Sequence, residues 1–497
     1  MTGQGFNLVH QPWIPVQTLS GELVELGIAE TLTRAHELAG ICAETQMEEV
    51  VLHRLLLAIV HRALDGPANH QQWAHWWQEG RLYTAQIIDY LDEHTAGFDL
   101  WDHERPFAQT PGLQCKRVPV DRLTAHPDRG AGAGWFTPVP TELTPARAAV
   151  WLLWCHAFDT GGIRARHGGG REMGVPAGHA GWAGQIQVCG RSLAHTLLLS
   201  LVPYPASADE GRRSRRADDA GWWERRDPPG RRRDQTPLGL VHALTWPGRR
   251  ILLHRDDDGM VRTVQISAGD DAKRLPGDPH TLTPWRRTAQ LSLVDPLRLA
   301  ECAGSADGSD DQDAAAPEAG SDRTAPAPFT ADQQQPVPPQ PGVLAALGER
   351  VAAGHIDPAT RVRIVVTGVQ FDQYRSMIEN TGSWQLATHA AAWTTGAPAN
   401  RKLCWIAQTL HEVEQAVVSA VEAAERTKGA RSPEQIRARG DDARMQLRHE
   451  LSPALTYAAA EPTDEQALQR LLNDLRTAAA RHLSAATDLA IQGGRST

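Results

Sequence analysis

The tetrapeptide His167-Gly168-Gly169-Gly170 carries the most explicit chemistry in the chain, because an HGGG turn can offer backbone N–H groups to a developing oxyanion. Esterase chemistry of that kind also needs a serine in a G-x-S-x-G elbow, and no such pentapeptide occurs. His411-Glu412 opens an H-E-x-x-H zinc motif, but its fifth position is Gln415, so the second ligand is missing. The cysteines Cys42, Cys115, Cys155, Cys189, Cys302 and Cys404 form no C-x-x-C pair, and the 21 histidines show no spaced cluster. No metal site and no cofactor are expected. A phosphate-cradling G-x-x-x-x-G-K-[ST] loop is also absent.

What remains is a set of glycine-rich, basic and aromatic loops. Gly161-Gly162 and Gly168-Gly169-Gly170, flanked by Arg164, Arg166 and Arg171, can bring bare backbone against a phosphate or a base edge, or form an ordinary flexible loop. Trp135-Phe136, after the small residues of GAGAG, suits stacking on bases or wedging between them. The same pair can equally latch that loop onto the core. Between Arg212 and Asp234 stand nine arginines against five carboxylates, a run more typical of a solvated insertion than of a binding site.

The elements that must position these loops follow from length and patterning. A chain of 497 residues allows two to four domains, and 41% hydrophobic residues suffice for a sizeable core. A net charge of −9 gives no global field toward nucleic acid, so a polyanion must be met by local patches. No secretory signal or membrane-length apolar run is visible, which makes a cytoplasmic location the default. Residues 13–26 alternate around Ser20-Gly21 as a hairpin, and 48–64 form a helix apolar on more than one face. Residues 106–140, dense in Gly and Pro, predict a long exposed loop before a helix at 145–158. Strands are expected in LVHALTW, in RILLHRDDDGMVRTVQIS and in RVRIVVTGVQF, with 205–236 and 301–342 disordered. From residue 386 the composition turns helical. Ile406, Leu410, Val413, Val417, Ala420 and Ala424 form a seam, helices are expected near 432–450 and 453–460, and Thr463 with Gln466 reads as a capping box before the last helix.

The order of FNLVHQPWIPV, EEVVLHRLLLAIVHRAL, HERPFAQTPG, GGGREMGVPAGHAGWAGQIQV, HTLLLSLVP and DPHTLTPW, followed by terminal helices, resembles the large, CasA-type subunit of the type I-E CRISPR surveillance complex, Cascade. The resemblance covers nearly the whole chain outside the two insertions. It implies an α+β fold, with a large N-terminal mixed α/β body of unusual topology over 1–385 and a C-terminal four-helix bundle over 386–497. It also implies a non-enzymatic role. In that family the large subunit reads a short motif in double-stranded DNA, mainly from the minor groove, and helps open the duplex for guide pairing. Its implied partners are target DNA, the CRISPR RNA-bound backbone and small subunits, and a helicase-nuclease, with no membrane.

Carried over residue by residue, the family's mobile aromatic loop falls on Trp135 and Phe136. Its glycine loop falls on Gly168, Gly169 and Gly170, with Gly161-Gly162 as the alternative. Its lysine finger falls on Lys273, next to Arg274, and its glutamine wedge on Asp372-Gln373. The family's asparagine before that glutamine is aspartate here, and a cysteine-rich zinc site found in some relatives is missing from this chain. Two other readings stand beside this one: a hydrolase using His167 and the glycines, and a helical adaptor without direct DNA contact.

Overall fold

In the computed structural model the described residues are 5–124, 140–169, 173–202, 219–231, 235, 237–271, 297, 299, 342–371, 378–427 and 432–494. The N-terminal hairpin forms as expected from β1 (Ile14–Thr18) and β2 (Leu23–Leu26), turning through Gly21 at φ +91°, a left-handed conformation that glycine adopts without a steric penalty. After α1 (Ile28–Thr33), β3 (Leu38–Ile41) joins the free edge of β1 and gives the order β2-β1-β3. The long apolar helix is α2 (Gln46–Ala63), capped by Thr45, whose hydroxyl accepts the Glu48 N–H at 3.2 Å. Leu52, Leu56, Leu57, Ile59 and Val60 are all fully buried, each contributing about 1.5–3 kcal/mol of apolar transfer. This is why the helix lies inside the body and not on its surface.

Two further helices follow, α3 (His70–Glu79) and α4 (Thr84–Glu93), and then a short strand, β4 (Val118–Pro119). Between them and α5 (Pro145–Phe158) the described part of the expected exposed loop is mostly irregular and only partly buried. Phe107, Val120 and Leu123 reach into the core and anchor the loop, while Gly112, Gln114, Lys116, Arg117 and Pro119 are exposed as expected. Arg147 on α5 joins the starts of the two central helices, donating to both oxygens of buried Glu48 at 2.9 and 3.1 Å. The hairpin β5 (Gly162–Arg164) and β6 (Met173–Val175) comes next, followed by α6 (His179–Ala183), β7 (Gln185–Cys189) and α7 (Leu193–Ser200).

Two expectations are corrected after α7. LVHALTW is not a strand but a short helix, α8 (Leu240–Leu244), because the buried Asp219 carboxylate accepts the N–H groups of Val241 and His242 at 3.1 and 2.7 Å. Residues 219–231, expected within a disordered insertion, are packed. Trp223 is fully buried and stacks on Phe98 with centroids 5.1 Å apart, and Glu224 pairs with Arg62 at 2.9 Å. The two tryptophans supply the apolar area that the arginine-rich composition conceals.

The expected strands β8 (Arg249–Arg255) and β9 (Val261–Ala268) form, with the order β4-β9-β8. After α9 (Gly342–Ala352), β10 (Arg361–Phe371) and β11 (Ile378–His389) make a long antiparallel pair with β7 on its far edge, in the order β11-β10-β7. Arg350 ties α9 to the end of α7. Its guanidinium is fully buried, lies 3.8 Å over the Trp73 ring, and donates to the Leu199 carbonyl at 3.1 Å and to that of Leu201. Burial pulls its pKa down to about 9, which leaves it protonated at neutral pH. Arg350→Met should cost roughly 2 kcal/mol, since two carbonyls at a buried helix end lose their donors. A denaturant titration that shows no change in midpoint would refute this anchoring role.

The chain ends in α10 (Pro398–Thr427), α11 (Pro433–Ala460) and α12 (Glu465–Gly494). Ile406, Leu410, Val417 and Ala424 of the expected seam are buried, with Val413 and Ala420 less so. The bundle has three helices among the described residues, not four, because the expected break before 453 does not occur. Pro453 sits inside α11, and burial of Leu447, Leu451, Leu455, Ala458 and Ala459 outweighs a proline cost of about 3 kcal/mol. The last helix is capped by Asp464, which accepts the Gln466 N–H at 2.9 Å, and the capping box is at Ser432–Gln435. Arg448 of α11 pairs with buried Glu414 and lies 5.5 Å from the Trp384 ring of β11, which seats the bundle on the body. No helix among the described residues is long and apolar enough to cross a membrane.

Candidate nucleic-acid interface

The apolar helix α5 ends at Asp159, and three arginines from three other segments meet this one buried carboxylate. Arg164 of β5 donates to it at 3.1 Å, Arg249 of β8 at 2.5 Å, and Arg122 approaches to 3.9 Å. Burial alone would raise the Asp159 pKa, but the three guanidiniums outweigh it and hold the carboxyl below its ordinary value. Arg249 also donates to the carbonyls of Thr160 and Pro176, both at 2.9 Å. It thereby clasps the two stems of the β5–β6 hairpin together. The Asp159 carbonyl accepts the Gly178 N–H at 2.7 Å, and Gly178 has no room for a Cβ, which would lie 2.4 Å from the Ala157 carbonyl.

Gly168 and Gly169 project from this clasped hairpin. Both are exposed, with φ of +75° and +78°, and a Cβ on either would meet nothing within 4 Å. The left-handed backbone by itself favours glycine at both positions, and the open space around them leaves the turn free for close approach by an external surface. The Gly168 N–H donates to the Gln114 carbonyl at 2.9 Å and the Gly169 N–H to that of Arg166 at 3.3 Å. Two of the N–H groups an oxyanion hole would use are thus already occupied, which removes the geometric basis of the hydrolase reading. Of the arginines flanking these glycines, Arg164 is buried and turned inward to Asp159, while Arg166 is exposed.

Gly170, Trp135, Phe136, Lys273, Arg274, Asp372 and Gln373 lie outside the described residues; the described segments leading to them meet Asp159, the β5–β6 hairpin or α6. Arg122, beside that carboxylate, is two residues before Thr124, the last described residue ahead of Trp135-Phe136. Asp271, the last before Lys273-Arg274, pairs with Arg231, which donates to the Gly174 carbonyl of β6 at 3.1 Å. Phe371, the last before Asp372-Gln373, lies against Gly181 of α6, whose Cβ would come within 3.0 Å of its ring. Residues 372–377 join β10 to β11. Sequence reasoning missed Asp159 itself. Its one local signal was an acid placed just between an apolar helix and a Gly-Gly pair.

Fold and site together define an α+β scaffold that clasps a glycine-bearing hairpin through three arginines at one buried carboxylate. Among the described residues no group of His, Cys, Asp and Glu is placed to hold a metal. The model of the family described as CRISPR-associated protein Cse1 matches residues 7–490. CasA/Cse1 of Thermus thermophilus is 37% identical over 267 residues, 51% of this chain, and the chain spans about half (50%) of that relative's length. The crystal structure of Thermobifida fusca Cse1 superposes with a TM-score of 0.75 at 24% identity, covering 99% of this chain and 93% of that one. A CRISPR-associated protein from Thermus thermophilus gives 0.71 at 25% identity over 99% and 98% of the two chains. A chain of a CRISPR RNA-guided surveillance complex gives 0.67 at 16% identity over 97% and 99%. This chain belongs to the Cse1 (CasA) family, the large subunits of type I-E Cascade.

Proposed function

We propose that this chain is the DNA-recognition subunit of an RNA-guided surveillance complex. Assembled with CRISPR RNA-bound backbone and small subunits, it reads a short protospacer-adjacent motif from the minor groove of double-stranded DNA. It then promotes duplex opening and R-loop formation and offers a docking surface to the helicase-nuclease. It does so without catalysis of its own. The observation that supports this reading best is the clasp at Asp159, which holds the stem of the exposed Gly168-Gly169 turn and the segment leading to Trp135-Phe136. The segment leading to Lys273-Arg274 is tied to the same hairpin at Gly174. Minor-groove information is degenerate, which suits a reader built from bare backbone, one lysine and shape. With the N–H groups of Gly168 and Gly169 already bonded, the glycines contribute close approach and not donors.

Gln373 falls between two strands whose paired register runs from Arg361 opposite His389 to Phe371 opposite Ile378. In that setting its amide can donate to and accept from base edges it displaces, lowering an unstacking cost of a few kcal/mol. Gln373→Ala should slow R-loop formation on intact duplex, leave the first motif-bound encounter unchanged, and be rescued by a target pre-melted beside the motif. Equal slowness on the pre-melted target, or wild-type speed on duplex, would sink the wedge assignment. DNA cross-linking within the assembled complex separates recognition from the adaptor reading, which predicts no contact.

A further inference from the structure

His167 begins the exposed turn at Gly168-Gly169, and its ring is tied on one side only. The backbone N–H of Gln114 donates to Nδ1 at 3.1 Å. A ring nitrogen that accepts carries no proton, so the neutral imidazole is protonated at Nε2. The two ring nitrogens face different ways, so Nε2–H is directed away from Gln114, and no hydrogen bond among the described residues uses it. His167 is itself half-buried beside two exposed glycines.

The segment supplying that N–H is fixed from the sheet below. The Gln265 amide, on β9, donates to the carbonyls of Leu113 and Cys115 at 2.9 and 2.5 Å, which uses both of its N–H groups. His254 on β8 holds the other end of the same amide, with Nε2 2.8 Å from Gln265 Oε1; the oxygen can only accept, so His254 donates. Gln114 stands between the two held carbonyls. It gives its N–H to His167 and takes the Gly168 N–H at 2.9 Å on its own carbonyl. Gln265 thus fixes the two residues on either side of Gln114, whose own backbone bonds reach the glycine turn.

We propose that His167 is a hydrogen-bond donor, through Nε2–H, to an acceptor atom of the target duplex, and that Gln265 is the residue that positions it. This rests on the DNA-recognition reading above. The acceptor is a minor-groove base edge or a phosphate oxygen, and the two differ in what they make the complex sensitive to.

The test uses the assembled complex with His167→Phe, Gln265→Met and the double variant. Binding is measured on a duplex with the motif, a duplex with an altered motif, and a single-stranded target. Each single variant should bind the motif duplex about tenfold less tightly, and the double variant should stay within about twofold of the weaker single, because both remove one contact. Binding to the single strand should not change. A loss confined to the motif duplex identifies a base edge, and an equal loss on both duplexes with a shallower salt dependence identifies a phosphate. Nitrogen-15 spectra of His167 supply a second readout: Nδ1 should be unprotonated in the wild type and a tautomer mixture in Gln265→Met.

His167→Phe binding like the wild type, or losses that multiply in the double variant, would overturn the proposal. Because His167 is half-exposed, its variant decides the matter even if Gln265→Met fails to fold. A wild-type complex indifferent to the motif would sink the recognition reading and this proposal with it. Duplex binding that survives undiminished in His167→Phe, beside a wild type that discriminates, would sink the proposal alone.

Discussion

Asp159→Ala is expected to destabilise the chain by about 3–5 kcal/mol, the range for removing one partner from a buried ion cluster. The carboxylate is nearly inaccessible and is shared by Arg164, Arg249 and the nearby Arg122. Without it, three guanidiniums crowd a buried space with no compensating anion. Arg249 keeps its carbonyl acceptors at Thr160 and Pro176, so the hairpin stems should stay joined while the exit at Arg122 loosens. Asp159→Asn should fall between alanine and wild type, since one amide oxygen still accepts. Equilibrium urea unfolding measures both variants, and a change under about 1 kcal/mol for alanine would show that solvent reaches the cluster.

The same cluster sets part of the acid response. A carboxyl whose folded pKa is depressed stabilises the fold above its unfolded pKa and loses that contribution as pH falls from about 4 through the folded value. Buried histidines act earlier. Burial pushes His156 down to about 4 and His53 to about 3, so the unfolded chain takes up protons first as pH drops below about 6.5. Wild-type stability should therefore decline in two stages, one from about pH 6.5 toward 4 and one below. Asp159→Ala should retain the first stage and flatten the second.

Elements with strong local period were legible in the sequence. The apolar run of α2, the hairpin at Ser20-Gly21, β10 and the seam of α10 all appear where spacing places them. What stayed hidden depends on partners far along the chain. The α8 helix needs the Asp219 carboxylate, α11 runs through Pro453 because its neighbours bury its leucines, and 219–231 is ordered by Trp223 against Phe98. The site divides the same way. Glycine composition pointed to Gly168 and Gly169, but an arginine's direction cannot be read from its neighbours. Arg164, which flanks the glycines in sequence, is an internal clamp. Asp159, which ties Arg122, Arg164 and Arg249 together, is one acid among the 59 acidic residues and has no motif around it.

Gly169→Asp in the assembled complex is the most direct test of the claim that this gathered face meets target DNA. The position tolerates the side chain sterically, since a Cβ meets nothing within 4 Å, and aspartate is among the few residues that visit the left-handed φ of +78°. The fold should therefore survive at a cost of about 1–2 kcal/mol in backbone strain. Against a duplex, the same Cβ blocks close approach and the new carboxylate faces phosphate charge. One or two lost contacts of about 1–3 kcal/mol each should weaken motif-duplex binding roughly a hundredfold, while pairing of the guide with a single-stranded target is unchanged. Equal loss on both substrates, or none on either, would contradict the account.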